Sequence, residues 1–158
     1  MAKYVVVGLE CSTTKNLSKV IANNLGIAHS DKYDGNIEIE DEYHKVQHFS
    51  YPYGQRDHFP EVIEGEWDFV LICTRDFYCS LKSKINHPHQ RDKDKANKEH
   101  LEGIEKLKNV AKLNNVHFFS YETWYLLQDV YMENFLKEIN VEYKHKVEAK
   151  DVNRKYMS

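Results

Sequence analysis

The sequence is poor in the residues that build cross-linked or metal-bound scaffolds. Its 158 residues include three cysteines, Cys11, Cys73 and Cys79, and no two of them form a CxxC pair. We therefore expect neither a disulfide framework nor a metal site. No apolar run approaches the roughly 20 residues of a membrane span, and the first residues form a strand pattern rather than a secretory signal. These absences predict a cytoplasmic protein without a membrane part.

A large excess of charge of one sign is also missing. The formal net charge is -3, so the chain has no overall attraction for nucleic acid, which is an unlikely partner. Residues 38–42 are acidic, whereas residues 91–98 and 144–155 are mainly basic. With 41% hydrophobic and 30% charged residues, the composition is that of a globular protein. The length predicts a single domain over residues 1–143, followed by a basic tail over residues 144–158.

Continuous apolar runs alternate with helical patterns along the chain. Runs at residues 4–7, 67–73 and 116–120 predict strands that are buried on both faces, and a weaker strand is predicted at residues 46–50. Helical spacing of apolar residues follows most of these runs. This alternation predicts a three-layer α/β/α fold with a mainly parallel sheet. In such sheets ligands bind at the carboxyl ends of the strands.

The segment GLECSTTKNL, residues 8–17, joins the first predicted strand to the first predicted helix. Helix N-termini with unpaired N–H groups bind phosphate, hydroxyl side chains add donors, and a lysine adds charge. The Walker pattern is not met, because Lys15 comes one residue late and Thr13 replaces its second glycine. Simple helix capping is the alternative. The predicted phosphate ligands are Gly8, Ser12, Thr13, Thr14, Lys15 and Asn16.

The same ten residues resemble the first nucleotide-binding loop of the sulfotransferase family, G-x-P-[RK]-S-G-T-T-x-L, a relative of the P-loop NTPase fold. Four positions match and four differ. The matches are Gly8, Ser12, Thr14 and Leu17, while Glu10, Cys11, Thr13 and Lys15 replace proline, the basic residue, glycine and the second threonine. The resemblance implies that this loop grips the 5'-phosphosulfate of PAPS. Lys15 is predicted to compensate for the basic residue that is missing at Cys11.

A second segment, ICTRDFYCSLKS at residues 72–83, resembles the family element that holds the 3'-phosphate of PAPS. That element has an arginine at a strand end and a serine eight residues later, and Arg75 and Ser83 have this separation. Ser80 is the alternative serine. A guanidinium fixed at a strand end suits phosphate, but Arg75 can instead form a structural ion pair with Asp76 or Glu122.

The resemblance extends to the region of the family's catalytic base. Here His48 is our first choice and His58 our second, since a histidine suits proton removal near neutral pH. The predicted function is thus transfer of a sulfuryl group from PAPS, leaving PAP, to a small hydroxyl or amine acceptor. His48 and Lys15 are the predicted catalytic residues.

Two other functions stay open. A small kinase with the same order of elements would use ATP with Mg²⁺ and a mobile basic lid, which Arg91, Lys93, Lys95 and Lys98 can supply. The lack of a convincing carboxylate at a strand end counts against it, and the basic run is also typical of a solvated surface. The third possibility is a noncatalytic nucleotide-binding protein, which the missing glycine and basic residue favour.

Overall fold

The computed structural model describes residues 1–27, 38–52, 56–87 and 92–157 and shows an α/β fold around one five-stranded sheet. The strands are β1 (Ala2–Leu9), β2 (Glu38–Glu40), β3 (His44–Tyr51), β4 (Phe69–Thr74) and β5 (Val116–Ser120). The helices are α1 (Thr14–Leu25), α2 (Phe59–Glu64), α3 (Phe77–Ile85), α4 (Lys93–Val110), α5 (Tyr121–Leu127) and α6 (Asp129–Glu138), and a 3-10 helix spans Arg154–Tyr156.

The strands lie in the order β2-β3-β1-β4-β5, so that β1 is central. The strands β3, β1, β4 and β5 are parallel, and the short β2 pairs antiparallel with β3 at one edge. The mainly parallel sheet predicted from the apolar runs is therefore confirmed. Because parallel strands end on the same side, the loops that follow β1, β3 and β4 share one edge of the sheet.

Apolar side chains pack on both faces of the sheet, because successive strand residues point to opposite sides. On one face Val6, Leu71 and Phe119 pack against α1, α5 and α6. On the other face Val5 and Ile72 pack against α2 and α4. This arrangement is consistent with the predicted three layers of helix, sheet and helix.

The structure differs from the sequence-based prediction in three places. The helical spacing of the apolar residues at positions 124, 127, 131, 135 and 139 predicts one helix, but the structure has two, because Gln128 adopts φ 47 and ψ -124 between α5 and α6. The helix α2 and the strand β2 were not predicted as separate elements. The polar sequence over residues 28–44 predicts a loop with a minor element, and this stretch lies partly outside the described residues, which resume at residue 38.

The last part of the chain, residues 141–157, is called the C-terminal segment here, and it packs against the domain. The Asn24 side chain accepts the backbone N–H groups of residues 144 and 145 over 2.7 and 2.8 Å. Gln128 bonds to both backbone groups of Ala149, over 2.9 and 3.2 Å. The boundary predicted at residue 143 therefore falls inside a packed region. Across the described ranges, no helix has the length and apolar character needed to cross a membrane.

Candidate functional site

A cleft of about 1250 Å³ opens at the carboxyl ends of the central strands. Its walls come from the loop between β1 and α1, the end of β3, the helices α3, α4 and α5, and the C-terminal segment. Six cationic and three acidic side chains line it: Lys15, Lys19, Arg75, Lys95, Lys150, Lys155, Glu10, Glu99 and Glu148. Positive charge is thus concentrated in a chain whose formal net charge is -3, and this favours an anionic ligand.

The β1–α1 loop, residues 10–13, presents the N-terminus of α1 to the cleft. Cys11 and Thr13 both have left-handed backbone conformations, with φ 65 and φ 77. In the part of the chain that the structure describes, the Thr13 side chain makes no capping hydrogen bond, and the first turn of α1 has no acidic residue. The first-turn N–H groups have no partner inside the helix, and Thr13, Thr14, Lys15 and Asn16 line the cleft. This end of α1 can therefore accept an anion.

Gly8 allows the β1–α1 loop to fold back onto the end of its own strand. A Cβ atom at this position would lie 2.7 Å from Thr14 Cγ2, 3.0 Å from the Cys73 carbonyl oxygen and closer still to Ser12 Oγ. A side chain would therefore push the loop away from the sheet. Gly8 acts through this close approach, since it does not line the cleft itself.

Arg75 follows β4 and connects the β1–α1 loop to the C-terminal segment. Its Nη1 donates to the Cys11 carbonyl oxygen over 2.8 Å, and its Nε donates to Asn153 Oδ1 over 2.7 Å. The guanidinium also lies 5.5 Å from the ring centre of Tyr121 and 5.8 Å from that of Tyr156. A third, longer bond runs from Nη2 to the Val152 carbonyl oxygen over 3.4 Å. Three hydrogen bonds and two aromatic rings therefore fix the guanidinium at the wall of the cleft, next to the N-terminus of α1.

The two carboxylates that were considered as ion-pair partners of Arg75, Asp76 and Glu122, both hydrogen-bond to other groups. Glu122 accepts the Asp76 backbone N–H over 2.8 Å and the Asn153 amide over 2.7 Å, and Asp76 caps α3 by accepting the Cys79 N–H over 2.8 Å. The bond from the Cys79 N–H, with smaller contributions from the Tyr78 N–H and from the charge of Arg75, holds the pKa of Asp76 below its usual range. Glu122 thus supports Arg75 indirectly, through Asn153.

Ser83 lies on α3 and its hydroxyl is at the wall of the cleft. It lies beside the Cys11 thiol and the Tyr156 phenol. Burial raises the pKa of Cys11, an effect that the neighbouring Ser83 hydroxyl only partly offsets. For Tyr156, burial acts to raise the pKa, but the neighbouring Ser83 hydroxyl and Lys155 outweigh it and the pKa is lowered. Ser83 thus belongs to the same surface as the β1–α1 loop.

His48 lies on β3 with its ring at the cleft. Its side chain is only 2% exposed, and among the described residues its Nδ1 atom has no hydrogen-bond partner. Burial, and after it the positive charge of Lys15, lowers the pKa of His48 to about 4. The imidazole is therefore neutral at neutral pH, and its ring lies at the same cleft as Lys15.

Several predicted residues lie away from the cleft. Ser12 is buried, donates its hydroxyl to the Leu9 carbonyl oxygen over 2.5 Å, and lines a second, smaller groove. Ser80 is buried and bonds to His100 Nε2 over 3.1 Å, so Ser83 is the serine that reaches the cleft. We correct both assignments: the hydroxyls of Ser12 and Ser80 are held by protein partners elsewhere.

Most of the other predicted residues, the second histidine and the basic lid, also lie outside the cleft. His58 stacks on Phe49 and pairs with Glu61 outside the cleft. Of the predicted basic lid, Lys95 lines the cleft, whereas Lys93 and Lys98 do not. Arg91 lies outside the described residues.

The sequence patterns missed the contribution of the C-terminal segment. Asn153 orients Arg75, and Tyr156 covers both Arg75 and Ser83. Tyr121 accepts the backbone N–H of Val152 over 3.1 Å and donates to the Lys150 carbonyl oxygen, which holds the segment in place. An asparagine and a tyrosine inside a basic run were the available signals, but nothing in their spacing shows that they fold back.

Searches against models of known protein families and against curated proteins found no match.

Proposed function

We propose that the cleft binds a nucleotide with phosphate groups at two ends, and that the protein transfers a sulfuryl group from PAPS to a small hydroxyl or amine acceptor. The observation that carries this proposal is the bond between Arg75 and the Cys11 carbonyl oxygen, 2.8 Å long. It puts a fixed guanidinium beside the N-terminus of α1. Two different anion-binding groups therefore share one wall of the cleft.

The residues present fit the two ends of PAPS. The backbone at Thr13 and Thr14, together with Lys15, would hold the 5'-phosphosulfate, and Arg75 with Ser83 would hold the 3'-phosphate. When bound, PAPS supplies a sulfuryl group on a phosphate leaving group. Lys15 and the end of α1 then stabilise the negative charge that develops on that phosphate.

His48 is the proposed proton acceptor. Its imidazole is neutral at neutral pH, because its pKa is lowered to about 4, and its Nδ1 is unpaired among the described residues. A neutral ring can take the proton of an acceptor hydroxyl as the oxygen attacks the sulfur. The low pKa makes it a weak base, so it acts in concert with bond formation and not before it.

The alternative is an ATP-dependent kinase, which Lys95 at the cleft wall favours. Most carboxylates at or near the cleft that could serve Mg²⁺ are already bound to other groups. Asp76 caps α3, and Glu10 and Glu99 pair with Lys84 over 3.3 and 2.5 Å. Of the acidic residues that line the cleft this leaves Glu148, which favours sulfuryl transfer, since that reaction uses positioning and charge neutralisation by the protein. A noncatalytic nucleotide-binding protein is the third candidate.

Calorimetric titration with PAP, and with ATP and Mg²⁺, tests the binding step. We expect PAP to bind more tightly, and we expect Lys15→Ala and Ser83→Ala each to weaken it by about tenfold or more. Ser80→Ala is the matched control, because that hydroxyl lies on the same helix but bonds to His100. A preference for ATP with Mg²⁺ would favour the kinase, and equal effects of the two serine variants would contradict the proposed site.

A second measurement separates an enzyme from a binding protein. Slow release of PAP from PAPS, with water as the acceptor, should be detectable for the wild type and reduced by His48→Gln. Tight PAP binding without any such turnover, in the presence of a panel of hydroxyl and amine compounds, would support the noncatalytic alternative.

A further inference from the structure

A buried ion cluster joins the β1–α1 loop to α3 and α4. The Lys84 side chain has no exposed surface, and its Nζ lies 2.5 Å from Glu99 Oε2 and 3.3 Å from Glu10 Oε2. Burying an ammonium group is costly unless carboxylates surround it. The cluster is therefore a specific arrangement of three charges, and two of its members, Glu10 and Glu99, also line the cleft.

Glu10 occupies an unfavourable position for a protein that binds an anion. It directly precedes Cys11 in the β1–α1 loop, and 30% of its side chain is exposed. Its backbone N–H donates to the Tyr51 carbonyl oxygen over 3.0 Å, and this bond holds the main chain at the end of β3. An unpaired carboxylate at this point would repel a phosphate group held at the end of α1.

Two consecutive residues of α3 act on two consecutive residues of the loop. Ser83 lies beside the Cys11 thiol, while the buried Lys84 pairs with Glu10. Because α3 follows Arg75 directly, the same segment also supplies the guanidinium that holds the Cys11 carbonyl oxygen. Arg75 and α3 thus hold the loop at two residues, the charged Glu10 and the left-handed Cys11.

We propose that Lys84 is a positioning residue for nucleotide binding, an inference that rests on the proposed function. Its buried ammonium neutralises Glu10 and holds that carboxylate against α3, so that the adjoining end of α1 can accept an anionic group. Lys84 does not touch the ligand. It acts through Glu10.

A double-mutant cycle tests this role, with PAP and inorganic pyrophosphate as probes in calorimetric titrations. We expect Lys84→Met to weaken PAP binding by about tenfold or more, because the Glu10 charge is then unpaired at the cleft. Adding Glu10→Gln should restore most of the lost affinity, since the repelling charge is removed. Lys98→Met, which replaces a side chain on α4 that is 78% exposed, is the control and should bind like the wild type.

The outcomes separate this inference from the proposed function. A wild type that binds neither PAP nor pyrophosphate overturns both. A wild type that binds, with a folded Lys84→Met variant of equal affinity, overturns the role of Lys84 alone. A folded double variant that binds as weakly as Lys84→Met overturns it as well, because Lys84 would then act through its shape or through Glu99, and not through the Glu10 charge.

If Lys84→Met does not fold, the single variant Glu10→Gln still tests the proposal. Glu10→Gln on its own keeps Lys84 paired with Glu99 and removes a negative charge from the cleft. It should bind PAP at least as tightly as the wild type. Weaker binding by this variant, with an unchanged urea-unfolding midpoint, would overturn the proposal.

Discussion

The guanidinium of Arg75 donates to the carbonyl oxygen of Cys11 over 2.8 Å and thereby joins the ends of two neighbouring strands, β1 and β4. The two residues are 64 positions apart in the chain. Cys11 has φ 65, which turns its carbonyl oxygen so that it can accept this bond. The left-handed backbone of Cys11 and the fixed guanidinium of Arg75 thus shape this wall of the cleft together.

Replacing Arg75 by alanine should loosen the C-terminal segment as well as remove an anion-binding group. The change leaves the Cys11 carbonyl oxygen and Asn153 Oδ1 without a donor, and hydrogen bonds of this kind contribute about 1–2 kcal/mol each. We expect the free energy of unfolding in urea to fall by about 2 kcal/mol, and the backbone amides of residues 150–157 to exchange faster with deuterium. Lys98→Ala, which removes an exposed cation from α4, should change neither measurement.

Replacing Thr13 by glycine should stabilise the protein. Thr13 is β-branched and has φ 77, a left-handed conformation that costs a side chain about 1 kcal/mol and costs glycine little. Thr14→Gly is the matched control, because Thr14 is buried and lies in the first turn of α1. Urea unfolding should show a gain of up to about 1 kcal/mol for Thr13→Gly and a loss for the control. A loss for both variants would mean that the Thr13 side chain makes a stabilising contact that outweighs its strain.

The strands β1 and β4 could be predicted because each contains a short, unbroken apolar run, and burial on both faces of a parallel sheet requires that composition. The strand β5 was also predicted, but it lies at the edge of the sheet and Phe118 is exposed, so it is not buried on both faces. The short strand β2 has no such run. Arg75 and Ser83, which were predicted to act together, both line the cleft, and their joint role in phosphate binding stays a prediction. The sequence alone did not decide between Ser80 and Ser83. The two are three residues apart on α3, and only the packing of His100 from α4 draws one of them away.

The remaining features depend on contacts between distant parts of the chain. Lys84 resembles any other helix lysine in the sequence, and its burial depends on Glu10 and Glu99, which lie 74 and 15 residues away. The return of Asn153 to Arg75, over 78 residues, has no local signal either. Spacing rules describe one element at a time, so they cannot find charges that three elements bring together.

The stability of the protein should fall as the pH drops from neutral, partly because of His48. Burial lowers its pKa from 6.5 to about 4 in the folded state, whereas the unfolded chain regains the ordinary value. Between these two values the unfolded state binds a proton that the folded state does not. The contribution of His48 is therefore complete above pH 6.5 and is lost as the pH falls towards 4, by about 3 kcal/mol in total.

His48→Gln isolates this contribution. Urea unfolding at about pH 7 and about pH 5 should show a smaller loss of stability on acidification for His48→Gln than for the wild type. Part of the loss should remain, because burial also lowers the pKa of His100 to about 4. The control His145→Gln changes an exposed residue and should keep the slope of the wild type. An identical slope in His48→Gln would show that His48 is not buried as a neutral ring.

Cys11 provides a chemical report on the cleft. It is half-buried at the cleft wall, whereas Cys73 and Cys79 are buried. Iodoacetamide should therefore modify one thiol of the native protein, at Cys11, and do so slowly, because burial raises the pKa of that thiol and only the thiolate reacts. Peptide mass mapping identifies the site, and Cys11→Ser should abolish the native-state reaction.

Saturating PAP should protect Cys11 if the nucleotide lies along the β1–α1 loop, while Cys73 and Cys79 stay unmodified with or without it. Equal labelling of all three thiols in the native protein would contradict the packing of β4 and α3, and labelling of Cys11 that PAP leaves unchanged would place the nucleotide elsewhere.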